Sequence, residues 1–221
     1  MATVLTRTPS STGNQKKYTW SSWVKRSNLG YQFIFTQGND GNNNNVLVFN
    51  ADNTLTTWNY QSGFQLILRT LQVFRDTNAW YHIVISVDTT QATASNRAKM
   101  YVNGVQITDF KSGEETYPSQ NLDLYINNTH PFKIGSYWNG TSNSALFDGL
   151  MSHVHFIDGE ALTPSTFGST DSTTGEWKIN TSPTISSYGT NGFLILKDGN
   201  TITDQSPNSN NFTVEAGTLT K

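Results

Sequence analysis

WYHIVISVD, residues 80–88, is the stretch that decides the fold class of this 221-residue chain. Its side chains change character at every second position, which is the pattern of a β-strand. One face collects Tyr81, Ile83, Ile85 and Val87, and the opposite face carries Trp80, His82, Val84 and Ser86. Because the first face is continuously apolar, we expect it to point into a core between two sheets.

Many further short strands surround this one. They are predicted at residues 18–26, 32–37, 45–49, 54–58, 65–70, 97–107, 132–138, 147–158, 191–198 and 210–216. Within 97–107, Asn103-Gly104 predicts a type I′ hairpin turn. Within 147–158, strict alternation predicts Leu150, Val154 and Phe156 on one face, opposite Met151, His153, His155 and Ile157. About ten to twelve strands at this spacing predict an all-β fold, a two-sheet antiparallel jelly-roll sandwich.

The composition narrows the class of partner. Charged residues make up 14% of the chain and the net charge is -2, which predicts neither nucleic-acid binding nor attraction to an anionic membrane. No apolar run is long enough for a spanning helix, so membrane insertion is not expected. The absence of cysteine rules out disulfides, and no signal peptide is visible near Met1. We therefore expect a protein made in a cytoplasm.

Several strings resemble the laminin G-like branch of the concanavalin A-like superfamily. They are YTWSSWVK, WYHIVISVD, KMYVNGVQI, FKIGSYWNG and FDGLMSHVHFIDGEALTPSTFG, in the family's order, and the resemblance covers about residues 17–168. It implies the concanavalin A-like sandwich and a lectin-like domain.

The domain organisation follows from the same strings. We expect residues 1–168 to form the sandwich, 169–190 to be linker-like, and 191–221 to supply strands that complete the same sandwich. One departure bears on the last point. The string DQSPNSNNFTV (204–214) resembles a motif that opens the domain in many relatives, yet it lies near the C-terminus here. The alternative is that these strands complete a module of another chain.

Residues 147–168 and 191–214 resemble domains in structural proteins of tailed bacteriophages, especially marine ones. The resemblance implies a non-enzymatic virion protein, a capsid-decorating or tail-fibre component made in the host cytoplasm. Its expected partners are further copies of itself, other virion proteins and a host surface glycan. A free-standing carbohydrate-binding lectin module is the alternative, and a glycan-cleaving hydrolase is a third hypothesis.

The sequence does not predict an enzyme. Glycosidases of this superfamily resemble one another in a strand that carries alternating carboxylates, which places the acid and the nucleophile on one face. No Glu or Asp pair at that spacing falls within a predicted strand. Glu114-Glu115 lie in a predicted loop, KSGEETYPS. We therefore expect binding without cleavage.

Two groups of residues suggest weak metal-site alternatives to the expectation of no cofactor. His153 and His155 are two apart on one predicted strand and could share a metal, but no third ligand is evident. Asp204 and Asn208 belong to an alternating polar run that could hold Ca²⁺. Only one member of that run is a carboxylate, so an Asx-turn loop is the competing interpretation.

Loop aromatics beside amides are the remaining candidate site. Rings stack on the C–H faces of sugars and amides read hydroxyl groups, so such clusters suit glycan binding. The candidates are Trp58, Tyr60, Tyr137, Trp138 and Asn139. Alternatively these rings cap the ends of the sandwich or pack on a neighbouring subunit.

Overall fold

The computed structural model of the chain describes residues 2–219, which form strands and two single-turn 3-10 helices. The first nine strands are β1 (Val4–Arg7), β2 (Lys17–Arg26), β3 (Gln32–Asp40), β4 (Asn43–Phe49), β5 (Thr54–Gln61), β6 (Phe64–Val73), β7 (Tyr81–Asp88), β8 (Ala98–Val102) and β9 (Val105–Ile107). The others are β10 (Phe110–Thr116), β11 (Phe132–Ile134), β12 (Tyr137–Trp138), β13 (Asn143–Ser144), β14 (Gly149–Asp158), β15 (Gly168–Thr170), β16 (Trp177–Ile179), β17 (Phe193–Ile195) and β18 (Thr213–Ala216). The helices span Ala94–Asn96 and Pro164–Thr166.

Two antiparallel sheets form the body of the molecule. The eight-stranded sheet has the order β10-β6-β5-β4-β3-β11-β1-β18, and the six-stranded sheet has the order β17-β14-β2-β7-β8-β9. Two short hairpins, β12-β13 and β15-β16, stand apart from them. The sequence prediction of an all-β two-sheet sandwich is confirmed.

The core lies between the two sheets and is rich in aromatic rings. Trp20 of β2 stacks on Phe35 of β3 with 4.2 Å between ring centroids, which joins the six-stranded sheet to the eight-stranded one. The predicted inner face of β7 (Tyr81, Ile83, Ile85 and Val87) packs in this core. The alternation in 80–88 therefore predicted the correct register, although the strand begins at Tyr81 and not at Trp80.

The hairpin turn between β8 and β9 is also as predicted. Asn103 and Gly104 have φ of 48° and 81°, the left-handed conformations that a type I′ turn requires at both central residues. Asn103 is further fixed because its side-chain oxygen accepts a hydrogen bond of 2.8 Å from the backbone N–H of His82. The turn thereby ties the hairpin to the neighbouring strand β7.

The predicted faces of β14 are wrong at its N-terminal half. The pairing with β2 shifts between Ser152 and His155, and His153 has a φ of 48°. This is a β-bulge, and one extra residue exchanges the two faces on its N-terminal side. As a result Met151 packs against the core beside Val154, whereas Leu150 is 53% exposed.

Two other segments differ from the sequence prediction. The predicted strand 132–138 is interrupted by Gly135, whose φ of 85° ends β11 and redirects the chain into β12. The predicted loop that contains Glu114 is instead the edge strand β10. Its side chains are charged and mostly exposed, so the sequence shows no apolar alternation. Charged side chains are also what protects an edge strand from pairing with another chain.

The C-terminal third of the chain returns to both sheets. In residues 169–190, expected to be linker-like, the structure has most of the β15-β16 hairpin, and this part of the chain packs on the outer face of the six-stranded sheet. Strand β17 pairs with β14, and β18 pairs with β1. Neither of the two helices in residues 2–219 has the length and apolar character needed to cross a bilayer.

Candidate functional site

The outer face of the eight-stranded sheet carries a separate apolar cluster. Phe33 of β3 and Val46 and Val48 of β4 are buried there, and Trp58 of β5 and Tyr137 of β12 cover them. Val46 and Val48 alternate along β4 with Leu47 and Phe49 of the main core. The cluster is therefore on the opposite side of the sheet from the core.

Aromatic rings form a continuous strip across this face. We call the set Tyr31, Phe33, Trp58, Tyr60, Phe64 and Tyr137 the aromatic strip. Successive ring centroids are 4.7 Å apart for Tyr137 and Phe33, 5.7 Å for Phe33 and Trp58, and 6.3 Å for Trp58 and Phe64. Tyr60 and Tyr31 extend it at 4.9 Å from Phe64 and 5.1 Å from Phe33. Phe64 and Tyr31 are about half exposed, at 50% and 48%.

Trp58, at the centre of the strip, is held in a fixed orientation. Its indole Nε1 donates a hydrogen bond of 2.7 Å to Oδ1 of Asn44. The amide nitrogen of Asn44 in turn donates to the carbonyl oxygens of Asp40 and Gly41, both at 3.1 Å. Since Asn44 is buried and bonded at both ends of its amide, the indole plane is set before any ligand arrives.

The strip carries three phenolic hydroxyl groups. Within residues 2–219, none of the hydroxyls of Tyr31, Tyr60 and Tyr137 hydrogen-bonds to the protein. Burial raises the pKa of Tyr31, and so does the charge of Tyr137, while Arg69 opposes them. Burial and the charge of Asp40 raise the pKa of Tyr137. Both phenols are therefore neutral donors and acceptors at physiological pH.

Beside the strip lies a balanced group of charges. Arg69 of β6 donates at 2.8 Å to Asp52 and at 2.9 Å to Glu114 of β10, and Lys111 lies 2.5 Å from Asp52. Burial would raise the pKa of the Asp52 carboxyl, but hydrogen bonds from Lys111 and Thr54 together with the charge of Arg69 hold that pKa well below its ordinary value. This carboxylate stays ionised.

The structure brings only some of the predicted glycan residues together. Trp58, Tyr60 and Tyr137 meet in the strip, although they come from separate parts of the chain. The ring of Trp138 instead lies under the ammonium of Lys133, 4.4 Å from its Nζ, and that ammonium pairs with Glu215. Asn139 caps its own loop, since its Oδ1 accepts hydrogen bonds from Thr141 and Ser142. Sequence reasoning missed Tyr31, Phe33, Phe64 and Arg69, which only the strand pairing places beside Trp58.

The two histidines predicted as a weak metal pair have different surroundings. His155 is buried, and its Nδ1 lies 3.0 Å from the hydroxyl of Tyr188. His153 sits at the bulge of β14 with Nδ1 2.7 Å from Oγ of Ser152. Among residues 2–219, no group of three or more His, Asp or Glu side chains is arranged to hold a metal ion.

The predicted polar run near the C-terminus is occupied by internal bonds. Oδ1 of Asp204 accepts hydrogen bonds of 2.8 Å from the backbone N–H groups of Leu194 and Ser206. Its Oδ2 accepts from the side chain of Ser206 and the backbone of Asn210. The amide of Asn208 donates to the carbonyls of Gly189 and Gly192. This is the geometry of a self-bonded loop, which fixes the loop against β17.

The outer face of the six-stranded sheet is covered by the chain itself. Residues 160–190, which we call the arm, bring Phe167, Trp177 and Tyr188 onto this face. Trp177 stacks on His82 at 6.0 Å, and its Nε1 donates a hydrogen bond of 2.9 Å to Nδ1 of His82. Because indole can only donate, Nδ1 of His82 carries no proton and Nε2 donates to Oγ of Ser21, 2.9 Å away.

The outer faces of the two sheets differ in whether their polar and aromatic groups are available to a ligand. Under the arm, His82 and His155 are buried and neutral, with both ring nitrogens of His82 and Nδ1 of His155 directed at protein partners. Above the buried Phe33, the other rings of the aromatic strip are partly exposed, and its three phenols have unbonded hydroxyls. Rings of this kind stack on apolar patches of sugars, and hydroxyls read sugar hydroxyls. The strip is therefore the better candidate for a ligand site.

Solved structures with a similar fold include three from different organisms. A SAP-like pentraxin from Limulus polyphemus matches with a TM-score of 0.53 and 16% identity over 73% of this chain and 72% of that chain. A putative carbohydrate binding protein from Bacteroides ovatus matches with a TM-score of 0.55 and 16% identity over 97% and 58%. Domain 4 of an extracellular arabinanase from Geobacillus stearothermophilus, solved in complex with arabinotriose, matches with a TM-score of 0.51 and 25% identity over 69% and 65%.

Among curated proteins no significant match was found. A laminin G-type family, described as the Concanavalin A-like lectin/glucanases superfamily, matches residues 3–166. That span covers β1 to β14 and therefore most of both sheets, and it confirms the resemblance seen in the strand motifs. The chain belongs to the concanavalin A-like lectin/glucanases superfamily and has its lectin-like fold.

Proposed function

We propose that this domain binds glycans non-covalently through the aromatic strip on its eight-stranded sheet. The observation that carries the proposal is the convergence of Trp58, Tyr60 and Tyr137 on one sheet face through Phe33 and Phe64. Large rings that are partly exposed at a sheet face supply the apolar area that a sugar ring needs. The hydrogen bond from Trp58 to Asn44 supports the proposal because it pre-organises the central ring and lowers the entropic cost of binding.

We also propose that the domain does not cleave the glycan. A glycosidase needs one carboxyl group whose pKa is raised so that it can donate a proton. The two carboxylates of the charge network beside the strip, Asp52 and Glu114, both pair with Arg69, and the pKa of Asp52 is lowered. Incubation with the bound glycan should release no reducing ends. Catalytic release that is lost in Asp52→Asn would contradict the proposal.

The binding test is a glycan array followed by calorimetry on the purified full chain. Trp58→Ala should weaken binding about fivefold or more, since it removes the central stacking surface, worth about 1 kcal/mol or more. Trp80→Ala is the matched control, because Trp80 is a 38% exposed tryptophan located just before β7 of the six-stranded sheet. Equal losses in both variants, or no binding to any glycan by the folded protein, would refute the proposed site.

A finer role is proposed from the sequence resemblance of residues 147–168 and 191–214 to phage structural proteins. In this proposal the domain is a capsid-decorating or tail-fibre part of a tailed-bacteriophage particle, self-associates, and attaches the particle to a host surface glycan. Mass spectrometry and electron microscopy of purified particles should detect the protein at a regular position. A monomeric protein that never co-purifies with particles would support the free-standing lectin module instead.

A further inference from the structure

We infer that the aromatic strip recognises an internal stretch of an uncharged oligosaccharide and discriminates against acidic sugars. This inference rests on the proposed function and specifies its ligand class. It is carried by three independent features of the face: the charge balance beside the strip, the chemistry of its free polar groups, and the length of the ring array.

The charge balance comes from the network around Arg69. Two cations, Arg69 and Lys111, face two carboxylates, Asp52 and Glu114, through ion pairs of 2.5–2.9 Å. The guanidinium directs both of its terminal nitrogens at carboxylates of the protein. A sugar carboxylate would have to displace one of these partners and leave it unpaired. The cations beside the strip are therefore not available to an acidic ligand.

A further charge near the strip, that of Asp40, is negative. Asp40 acts electrostatically on Tyr137 and also on Tyr125, raising the pKa of each after the larger effect of burial. The backbone carbonyl oxygen of Asp40 accepts a hydrogen bond from Asn44, the residue that orients Trp58, so Asp40 lies close to the centre of the strip. An anionic sugar stacked near Tyr137 would approach this carboxylate, and like charges at such sites repel.

The unbonded polar groups on the strip are neutral. The hydroxyls of Tyr31, Tyr60 and Tyr137 each offer one donor and acceptor oxygen, with no partner within residues 2–219. Sugar hydroxyls have the same dual character, so the two sets can pair without leaving a buried charge. A carboxylate could use only the donor half of each phenol. The free polar groups therefore match an uncharged sugar better.

The length of the array indicates a chain and not a single sugar. The strip runs from Tyr137 past Phe33 and Trp58 to Phe64, with each ring about 5–6 Å from the next. Phe33 is buried and supports Trp58 and Tyr137 from beneath, so the rings that a ligand can contact along this line are Tyr137, Trp58 and Phe64. Its rings lie along an open sheet face, where Phe64 is half exposed. Such a surface can contact several consecutive sugar units at once. A chain that lies on an open face can continue past the strip at both ends, as recognition of an internal stretch requires.

The experiment measures the affinity of the full chain for defined glycans by calorimetry. The probes are uncharged hexasaccharides of glucose, xylose, arabinose, mannose and N-acetylglucosamine, their monosaccharides, and the acidic hexamers of galacturonic acid and sialic acid. At least one uncharged hexamer should bind at least about tenfold more tightly than its monosaccharide and than both acidic hexamers, a difference of about 1.4 kcal/mol or more.

A charge variant sharpens the test. In the double variant Asp52→Asn, Glu114→Gln the cations Arg69 and Lys111 lose the negative charges of their partners. Affinity for the acidic hexamers should then rise severalfold and fall again with added salt, while that for the uncharged hexamer changes less. Thermal unfolding of the variant checks that the fold is retained.

The outcomes separate this inference from the proposed function. If the acidic hexamers bind best and Trp58→Ala abolishes that binding, the site is correct and the inference about charge is wrong. If a monosaccharide binds as tightly as its hexamer, the inference about an internal stretch is wrong. If no glycan binds, the proposed function itself fails.

Discussion

The two sheets both carry aromatic side chains on their outer faces, but the chain treats these faces differently. On the six-stranded sheet the arm covers His82 and His155, and both ring nitrogens of His82 and Nδ1 of His155 contact protein partners. On the eight-stranded sheet Tyr31 and Phe64 remain about half exposed. The covered face contributes to stability, whereas the open face is free to contact a ligand. Substitutions on the first should lower the free energy of unfolding, and substitutions on the second should mainly affect binding.

The largest expected effect comes from Phe167, the ring of the arm that is 2% exposed. Phe167→Ala should lower the free energy of unfolding by about 3–5 kcal/mol, because a buried ring leaves a cavity. The half-exposed Phe64 is its matched control on the open face, and Phe64→Ala should cost less than about 1 kcal/mol. Urea titration of both variants measures the difference. Similar losses would show that the two faces do not differ as described.

The second effect is a loss of stability in acid. Burial lowers the pKa of His82 to about 3, and burial together with neighbouring positive charge does the same to His155. The unfolded chain, with histidine pKa near 6.5, therefore binds protons before the folded chain does. Stability is fully present above pH about 6.5 and is lost as the pH falls toward about 3.

The expected loss is about 2 kcal/mol per histidine between roughly pH 7.5 and pH 5. Urea titrations across this range measure it. In His82→Gln, where the ring cannot titrate, the pH-dependent part of the loss should fall by about half. An unchanged pH dependence in this variant would mean that His82 is not held neutral by the arm.

The third effect concerns a glycine that touches the arm. A Cβ at Gly104 would lie 2.4 Å from the ring of Trp177, whereas one at Gly113, in edge strand β10, would meet nothing within 4 Å. Their φ values are nearly equal, 81° and 76°, so backbone strain is matched. Gly104→Ala should therefore destabilise by about 1–3 kcal/mol more than Gly113→Ala. Equal thermal shifts would place the arm away from this turn.

The smallest effect is expected for the charge network of the open face. The side chain of Arg69 is 23% exposed and its partners are more exposed, so solvent screens these pairs. Arg69→Gln should cost about 1 kcal/mol or less, and the cost should shrink in high salt. A loss above about 3 kcal/mol, insensitive to salt, would indicate that the network is a stability element and not a surface feature.

Local alternation was enough to predict the fold class and the inner face of β7, because each of these depends on neighbouring residues only. The bulge at His153 was not predictable in the same way. One extra residue leaves no mark in composition, and the enrichment of histidine at positive φ is too small to locate a bulge within an alternating strand. The faces of Leu150 and Met151 were exchanged for this reason.

The candidate site could not be predicted in full for a related reason, because its residues are far apart in the sequence. Trp58, Tyr60 and Tyr137 could be selected as partly polar aromatic clusters, but their meeting depends on strand pairs such as Val46 with Trp58, which sequence spacing does not specify. Glu114, the β10 carboxylate that pairs with Arg69, was assigned to a loop because its strand has no apolar alternation. In the arm, isolated aromatics such as Trp177 and Tyr188 within a Ser/Thr-rich stretch were the available signal of packing.

The pairing of β1 with β18 has a consequence for how the protein folds. Strand β1 lies between β11 and β18, and Thr3 donates a hydrogen bond to Thr218, 215 residues away along the chain. Strands β3 to β6 can pair as successive hairpins as soon as residues 32–73 are synthesised. Strand β1 can pair with β11 only after residue 134 and with β18 only when nearly the whole chain is present, and closing such large loops slows folding. Refolding should therefore show the edge of the eight-stranded sheet acquiring amide protection last.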